Sequence, residues 1–298
     1  MTNFNVEFSK TDATSEKIQS LFTNIYVKFP NFSFSLNYFN HFQVYFHNFD
    51  FYKNSDGLAI SRPNQFGTRY ESFQEQAVCQ SPNSRCHACR NKQFANPRVQ
   101  DAMLAVDRAD FTDIDPYSDC PQSIGSNATI SAPHMHAAAL EALVDKIDPK
   151  NNPRILDVGS GSGYLTVCFA MLAGKNGKSI GIEHMPELVH KSIANVKKHH
   201  SDMIESGQIE LVVGDGRLGY PEGAPYDAIH VGAAAPDYNT TQKLLSQLKI
   251  GGRMVVPVGK TYQDFVQFDR ISEDKFEQKK LMEVIYVPLT SQEHQRSR

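Results

Sequence analysis

The residues with the clearest chemical potential surround a glycine-rich loop, GSGSG, at residues 159–163. The loop follows a predicted strand, RILDVG, and precedes a predicted helix. Its small residues allow the backbone to approach a ligand beside the free N–H groups of the helix terminus. A dinucleotide fingerprint, G-x-G-x-x-G, needs glycine at position 164, where this chain has Tyr164. Taken alone, the G-x-G-x-G pattern is consistent either with a tight strand-to-helix turn or with an adenosyl-methionine loop.

Three carboxylates favour the second interpretation. Asp157, Glu183 and Asp215 each end a predicted strand, and ligands of open α/β sheets bind at the carboxyl ends of the strands. Each acid alone is better explained as a helix cap or a loop residue. Three such acids at neighbouring strand ends point to a ligand. Glu183 is suited to accept hydrogen bonds from the two hydroxyls of a ribose, and Asp215 from the amino group of an adenine. Because an acidic rim attracts a sulfonium and repels a pyrophosphate, the sequence predicts a site for S-adenosyl-L-methionine.

The elements that position these residues alternate between strands and helices. Helical spacing of Val99, Met103 and Val106 predicts a helix in VQDAMLAVDR, and a second helix is predicted to start at Pro133. The predicted strands that follow are RILDVG, SIGIEH, IELVVGD, YDAIHVGA and RMVVPVG. This alternation predicts an α/β fold, mostly a parallel sheet with helices on both faces. DFVQFDRI and LMEVIYVPLT predict a C-terminal antiparallel hairpin at the sheet edge.

The chain divides into two compositions near residue 95. Fourteen of its 19 Phe residues fall within the first 94 positions, in a tract rich in Asn and Tyr. Tracts of this kind usually resist packing. We therefore predict a poorly ordered extension over 1–94 and a folded domain over 95–298. A lone C-x-x-C (Cys86, Cys89), with Cys79 nearby, is explained better by free thiols than by a metal site, which usually needs two such pairs.

Bulk properties exclude several classes of function. A formal net charge of −3 gives no polycationic surface for nucleic acid or anionic membranes. The N-terminus lacks the pattern of a signal peptide, and no apolar run is long enough for a membrane span. Five scattered cysteines do not form a disulfide framework. A cytoplasmic protein without a bound metal is expected.

Six motifs in order along the chain carry a resemblance to a known family. They are DCPQSIGSNATISAPHMHA, ILDVGSGSGYLT, GIEHMPELV, LVVGDGRLGYPEGAPYDAIHVGAAAP, GGRMVVPVG and VIYVPLT. From about residue 99 onward the chain resembles protein-L-isoaspartate (D-aspartate) O-methyltransferases. The resemblance implies a seven-stranded Rossmann-like class I methyltransferase fold. It also implies transfer of a methyl group from S-adenosyl-L-methionine to L-isoaspartyl α-carboxyls, and D-aspartyl β-carboxyls, of damaged proteins, initiating repair. A monomer is expected.

The resemblance also assigns site residues. Ser131 matches the active-site serine. The positions implied to line the cofactor and substrate pocket are Ala128, Thr129, Ile130, His136, Asp157, Gly159, Ser160, Gly161, Glu183, Asp215, Gly216, Thr290 and Gln295. The chain departs from the family before residue 99, where no counterpart of the usual first helical segment is recognisable.

The chemistry of carboxyl methylation needs alignment more than proton transfer. A carboxylate is already ionised at neutral pH, so His134 and His136 are not expected to act as bases. Ser131 is expected to hold a carboxylate oxygen in line with the methyl group, although a helix-cap role is the alternative for this residue. His136 is alternatively a core histidine, and Arg217 either binds a carboxylate or pairs with a nearby acid.

Two other functions compete with isoaspartyl methylation. One is a methyltransferase of the same fold that acts on a small molecule, against which the intact ATISAPHMH segment argues. The other is a non-catalytic adenosyl-methionine-binding adaptor that uses the N-terminal segment to bind a partner.

Overall fold

The structure is a computed structural model that describes residues 50–54, 57–61 and 95–297. Strands β1 (Asp50–Asn54) and β2 (Gly57–Ser61) form an antiparallel hairpin in which Asp50 lies opposite Ser61. Apart from these two strands, the prediction of a poorly ordered segment over 1–94 lies outside the described residues, as do Cys79, Cys86 and Cys89.

The rest of the described chain is built around a seven-stranded sheet. Before the sheet come helix α1 (Pro97–Ala105), the short hairpin β3 (Gln122–Gly125) and β4 (Ala128–Ile130), and helix α2 (Pro133–Leu143). The sheet and its remaining helices comprise β5 (Arg154–Val158), α3 (Tyr164–Ala173), β6 (Lys178–Glu183), α4 (Pro186–Lys197), α5 (Ser201–Glu205), β7 (Ile209–Val213), β8 (Tyr226–Val231), α6 (Tyr238–Leu245), β9 (Leu248–Val258), β10 (Gln263–Arg270) and β11 (Phe276–Val284). A last short helix, α7 (Gln292–Arg296), follows.

The strand order is β11-β10-β9-β8-β5-β6-β7. Strands β9, β8, β5, β6 and β7 are parallel, whereas β10 is antiparallel to both of its neighbours. The chain leaves β5 towards β6 and β7 and later returns to the other side of β5 as β8. The order therefore reverses between β5 and β8, which is where a ligand crevice is expected in such sheets.

Helices cover both faces of the sheet, as the alternation predicted. Neighbouring β5 residues Ile155 and Leu156 are both fully buried but belong to different cores. Ile155 packs with residues of helices α1 to α5, and Leu156 packs with Leu244 and Leu245 of α6. Burial on both faces explains why the strands read as continuous apolar runs. The predicted fold class is confirmed.

The structure corrects three local expectations. The last strand ends at Val284 rather than continuing to Thr290, because residues 286–290 leave the sheet edge. Its first half is polar and exposed at that edge, so it lacks an apolar alternation that sequence analysis can detect. Hairpin β3–β4 and helix α7 were not predicted. Within the described residues no helix is both long and apolar enough to cross a membrane.

Candidate active site

The glycine loop connects β5 to α3 in a conformation that side chains rarely adopt. Gly159, Gly161 and Gly163 have φ of +74°, +51° and +87°, in the region open mainly to glycine. Helix α4 supports the loop, because the Asn195 amide donates to the Ser162 carbonyl at 3.1 Å. The loop is therefore fixed by glycine chemistry and by packing from one side, leaving its other side to face a cavity.

That cavity lies at the carboxyl ends of β5 to β8. Its lining residues are Ala128, Thr129, Gly159, Gly161, Ile182, Glu183, His184, Gly216, Gly232, Ala233, Val287, Pro288, Leu289, Thr290 and Gln295. None of these lining residues is Lys or Arg, and Glu183 is the one carboxylate among them. The lining thus disfavours a phosphate-bearing ligand and favours a neutral or cationic one.

Glu183 is held at the cavity wall by backbone donors. Its oxygens accept hydrogen bonds from the N–H groups of Met185 at 3.0 Å and Gly161 at 3.3 Å. Burial raises the pKa of this carboxyl, while the N–H donors and His184 act in the opposite direction. The carboxylate is therefore held in place by backbone donors, and its burial makes it costly to ionise.

Asp157 points into the protein rather than at the cavity. It is 1% exposed and accepts hydrogen bonds from the Thr166 hydroxyl at 2.6 Å and from His230 Nδ1 at 2.8 Å. Thr166 belongs to α3 and His230 to β8. Asp157 therefore joins the strand before the glycine loop to the helix after it and to the strand across the switch point.

Asp215 forms an ion pair with Arg217. Its carboxylate caps the 3₁₀ turn Gly216–Leu218 and receives Arg217 Nε and a terminal nitrogen, the closest at 2.7 Å. The Arg217 hydrogen bonds hold the pKa of Asp215 below its usual value. Of the two alternatives for Arg217, the structure thus shows pairing with a nearby acid.

The C-terminal segment closes the cavity from above. Ala234 N–H donates to the Val287 carbonyl at 2.8 Å, and Leu289 N–H donates to the Ala234 carbonyl at 2.8 Å. These bonds attach residues 287–289 to the loop after β8 and turn them away from β11. Apolar side chains from the end of the chain thereby become a wall of the cavity.

Helix α7 connects this wall to two other loops. Gln295 Oε1 lies 2.7 Å from His184 Nε2, and its amide nitrogen donates to the Ser126 carbonyl at 2.8 Å. Asn127 donates to the Gln295 carbonyl at 2.9 Å. One glutamine therefore joins the end of β6 to the β3–β4 turn across the cavity.

Ser131 lies between β4 and α2, and it does not cap the helix. The N-cap position is Ala132. The carbonyl of Ser131 accepts a hydrogen bond from Arg108 at 2.7 Å. Its side chain interacts with the phenol of Tyr286, whose pKa is raised by burial and lowered in part by this contact. Tyr286 is in turn stacked on Phe265, with the ring planes 6° apart.

His136 is a core histidine. It is 6% exposed and stacks on Tyr164, with ring centroids 4.9 Å apart. Burial, and then the neighbouring Arg108 cation, hold the pKa of His136 well below its usual value. The ring is neutral at physiological pH, with Nδ1 3.2 Å from an Arg108 nitrogen.

Comparison with known proteins places the chain in one family. The family model for protein-L-isoaspartate(D-aspartate) O-methyltransferase (PCMT) matches residues 83–294. The chain belongs to this family.

Individual relatives of this methyltransferase carry the name of the same family. It is 53% identical over 210 residues to a Caenorhabditis elegans protein-L-isoaspartate O-methyltransferase, covering 70% of this chain and 91% of the relative. It is 51% identical over 200 residues to an Arabidopsis thaliana protein of the same name, covering 66% and 85%. A Plasmodium falciparum structure described as such an enzyme, in complex with S-adenosyl-L-homocysteine, aligns with a TM-score of 0.61 and 32% identity, covering 66% of this chain and 91% of that one.

The methyltransferase cavity gathers most of the residues assigned from sequence. Those that line it are Ala128, Thr129, Gly159, Gly161, Glu183, Gly216, Thr290 and Gln295. Those that lie outside its lining are Ile130, Ser131, His136, Asp157, Ser160 and Asp215. The binding roles of both groups stay predictions. Within the second group, Ile130, Ser160 and Asp215 directly neighbour a lining residue in the chain.

Sequence analysis missed several residues of the methyltransferase wall. They are Ile182, His184, Gly232, Ala233, Val287, Pro288 and Leu289. His184 follows Glu183 directly, and Gly232 follows β8, so the strand-end rule that selected the acids would also have selected them. Val287, Pro288 and Leu289 carry no such local signal. Among residues 95–297, no group of three His, Cys, Asp or Glu side chains is arranged to hold a metal ion.

Proposed function

We propose that this chain transfers the methyl group of S-adenosyl-L-methionine to the α-carboxyl of L-isoaspartyl residues, and the β-carboxyl of D-aspartyl residues, in damaged proteins. Such methylation initiates repair. The observation that carries the proposal is the meeting of two segments around one cavity: Ala128 and Thr129 of the ATIS segment face the glycine loop residues Gly159 and Gly161. The relatives with this name, about half identical to the chain, support it.

The cavity fits the cofactor. Backbone atoms at Gly159, Gly161, Gly216 and Gly232 leave room for close approach, and a Cβ at Gly232 would lie 3.0 Å from the Gly159 carbonyl. Glu183 presents carboxylate oxygens suited to a pair of ribose hydroxyls. The lining carries no cationic side chain that would repel a sulfonium. When bound, S-adenosyl-L-methionine supplies an activated methyl group.

The protein's own residues then need to orient a carboxylate and exclude water. The Ser131 hydroxyl donates a hydrogen bond to one substrate carboxylate oxygen, which directs the other towards the methyl group. No base is required, because the carboxylate is ionised. His136 is unsuited to that role in any case, since it is buried, neutral and occupied by Arg108. The C-terminal wall at residues 287–290 keeps solvent away from the reacting charges.

A methyl-transfer assay with paired peptides tests the proposal. An isoaspartyl peptide and its normal aspartyl counterpart are incubated with radiolabelled S-adenosyl-L-methionine. Transfer to the isoaspartyl form alone is expected. Absence of transfer to it would refute the proposal, and binding of S-adenosyl-L-homocysteine without any turnover would favour the adaptor. Equal transfer to both peptides would favour a less selective methyltransferase.

Ser131→Ala tests whether the Ser131 hydroxyl aligns the substrate carboxylate or only supports the structure. A hydrogen bond to a charged group contributes about 1.5–3 kcal/mol, so turnover is expected to fall roughly 10- to 150-fold. Affinity for S-adenosyl-L-homocysteine should change less than about twofold, since the hydroxyl lies outside the cavity lining. Ser123→Ala, an exposed serine on the adjoining strand, is the matched control and should leave both quantities unchanged. Equal losses of turnover and cofactor affinity in Ser131→Ala would show that the residue is structural.

The same proposal includes a monomeric enzyme of the cytoplasm that acts on proteins and peptides and does not bind nucleic acid. The net charge of −3 supports the last point. Free thiols at exposed Cys120 and buried Cys168 support a reducing compartment. Light scattering coupled to size exclusion, at the full-length mass of 33.4 kDa, measures the oligomeric state; a doubled mass would refute the monomer.

A further inference from the structure

Arg108 is a fully buried cation next to Ser131. It lies in the 3₁₀ turn after α1, and none of its surface is exposed. One terminal nitrogen donates to the Ser131 carbonyl at 2.7 Å, and the other lies 3.2 Å from His136 Nδ1. The guanidinium carbon is 5.8 Å from the centroid of the Tyr164 ring. These contacts fix a positive charge directly behind the backbone of Ser131.

That charge has no carboxylate partner among residues 95–297. The acids around it are occupied elsewhere: Asp110 pairs with His199 at 2.7 Å, and Asp119 pairs with His134 at 2.8 Å. The Nε atom of Arg108 is buried without a hydrogen-bond partner. An unpaired buried charge is costly to the fold, so its presence beside the candidate substrate position calls for a functional explanation.

The other ring groups in contact with Arg108 do not neutralise it. His136 is neutral, because burial and the guanidinium itself hold its pKa well below the usual value. It can therefore only accept a hydrogen bond from Arg108 through Nδ1. Tyr164 offers the face of a neutral ring, since burial holds the pKa of its phenol well above the usual value. The positive charge of Arg108 is therefore not neutralised by these rings and can attract an anion bound at the Ser131 hydroxyl.

We propose that Arg108 is the charge that selects an ionised carboxylate at Ser131, acting from behind the backbone without touching the substrate. It is a positioning and specificity-determining residue that acts through Ser131. The inference rests on the proposed function, which places the substrate carboxylate at the Ser131 hydroxyl. It also explains how the segment ATISAPHMH, which contains no Lys or Arg, can favour an anion.

Distance and dielectric make the effect measurable. The hydroxyl oxygen of a serine lies within about 4 Å of its own carbonyl oxygen. The hydrogen bond from that hydroxyl to a carboxylate oxygen adds ~2.7 Å. The carboxylate would therefore lie at most roughly 9–10 Å from the Arg108 nitrogen that donates to the Ser131 carbonyl, close enough for a measurable attraction at a protein site screened from bulk water. We expect the charge to contribute at least about tenfold in preference for a carboxylate over a neutral group, which corresponds to ~1.4 kcal/mol.

The test compares the binding of two peptides to full-length protein saturated with S-adenosyl-L-homocysteine. One peptide carries an isoaspartyl residue with a free α-carboxylate, and the other carries the same residue as an α-carboxamide. The neutral thioether of S-adenosyl-L-homocysteine removes the sulfonium, so Arg108 is isolated as a source of positive charge. The quantity measured is the ratio of the two dissociation constants, because purely structural damage weakens both peptides alike.

Three variants complete the design. Arg108→Gln removes the charge and is expected to reduce the carboxylate preference at least about tenfold. Arg108→Lys retains the charge and should keep the preference within about threefold of the natural protein. Arg98→Gln is the matched control: Arg98 donates to the carbonyls of Val144, Ile147 and Leu172 and does not contact Ser131. Its loss should lower stability and leave the preference unchanged.

Each result either supports the inference or overturns it. An unchanged preference in Arg108→Gln, with both peptides weakened equally, would overturn the inference. If Arg108→Gln does not fold, as judged by circular dichroism and S-adenosyl-L-homocysteine binding, a tenfold loss of preference in folded Arg108→Lys would overturn it instead. Turnover of the natural protein is measured first. Lack of turnover defeats the proposed function, whereas turnover with an unchanged preference in Arg108→Gln defeats this inference alone.

Discussion

Asp157→Asn tests whether the acid before the glycine loop supports the fold or contacts the cofactor. The substitution preserves size and removes charge. In the structure the two carboxylate oxygens are occupied, one by the Thr166 hydroxyl at 2.6 Å and the other by His230 Nδ1 at 2.8 Å. Asparagine keeps one neutral acceptor oxygen for these two buried donors, so both lose a charged acceptor and one loses its acceptor oxygen altogether.

The structure gives the size of the effect. A hydrogen bond to a charged group contributes about 1.5–3 kcal/mol, and we expect the free energy of unfolding to fall by about that amount. For a domain of about 200 residues this corresponds to a decrease in Tm of roughly 3–12 °C. Asp148→Asn is the matched control. Asp148 is an exposed acid that caps a 3₁₀ turn, and asparagine caps equally well, so its stability should hardly change.

Urea unfolding and calorimetric titration with S-adenosyl-L-homocysteine, at one pH, measure both consequences of Asp157→Asn. Stability should fall as stated, while affinity should fall less than about tenfold, because the side chain does not line the cavity. The reasoning would be refuted by unchanged stability together with a tenfold or larger loss of affinity. That result would mean that Asp157 turns towards the ligand.

Two further predictions concern the cavity wall. Gly161→Ala places a methyl group 3.2 Å from Ile124 Cδ1 on a backbone with φ +51°, whereas its control Gly207→Ala places one in open space at φ +76°. Each substitution should lower the free energy of unfolding by roughly 1–2 kcal/mol, but only Gly161→Ala should weaken the binding of S-adenosyl-L-homocysteine. Equal affinities of the two variants would contradict the assignment of residues 159–163 as the cofactor loop. The second prediction concerns Glu183, because burial raises the pKa of its carboxyl in the folded protein above the usual 4.5. The folded state therefore binds more protons than the unfolded state in that range, and the free energy of unfolding should decrease as pH rises through this pKa. Ligand affinity should increase over the same range, as the carboxylate ionises. Glu183→Gln should flatten both curves, and a pH dependence that survives in the variant would assign it to another group.

Local patterns were sufficient for most of the sheet. The strands from β5 to β10 were predicted in order, because buried strands leave apolar runs that are recognisable within a few residues. Helix α5 between β6 and β7 was not predicted. The polar first half of β11, the three-residue strand β4 and the five-residue helix α7 left no such signal. Those elements are stabilised by neighbours that are distant in the chain.

The types and positions of residues in the sequence were likewise sufficient to locate the site, but not to assign the role of each residue in it. The sequence by itself determined that a glycine loop and three strand-end acids meet at one edge of a sheet, because parallel strands share that edge. Only the tertiary structure decided which acid faces the cavity. Glu183 does so, whereas Asp157 is occupied by residues nine and 73 positions away. The buried charge of Arg108 beside Ser131 was likewise set by packing between segments 23 residues apart. A side chain's type is local, but its direction and its electrostatic partners depend on what folding brings beside it.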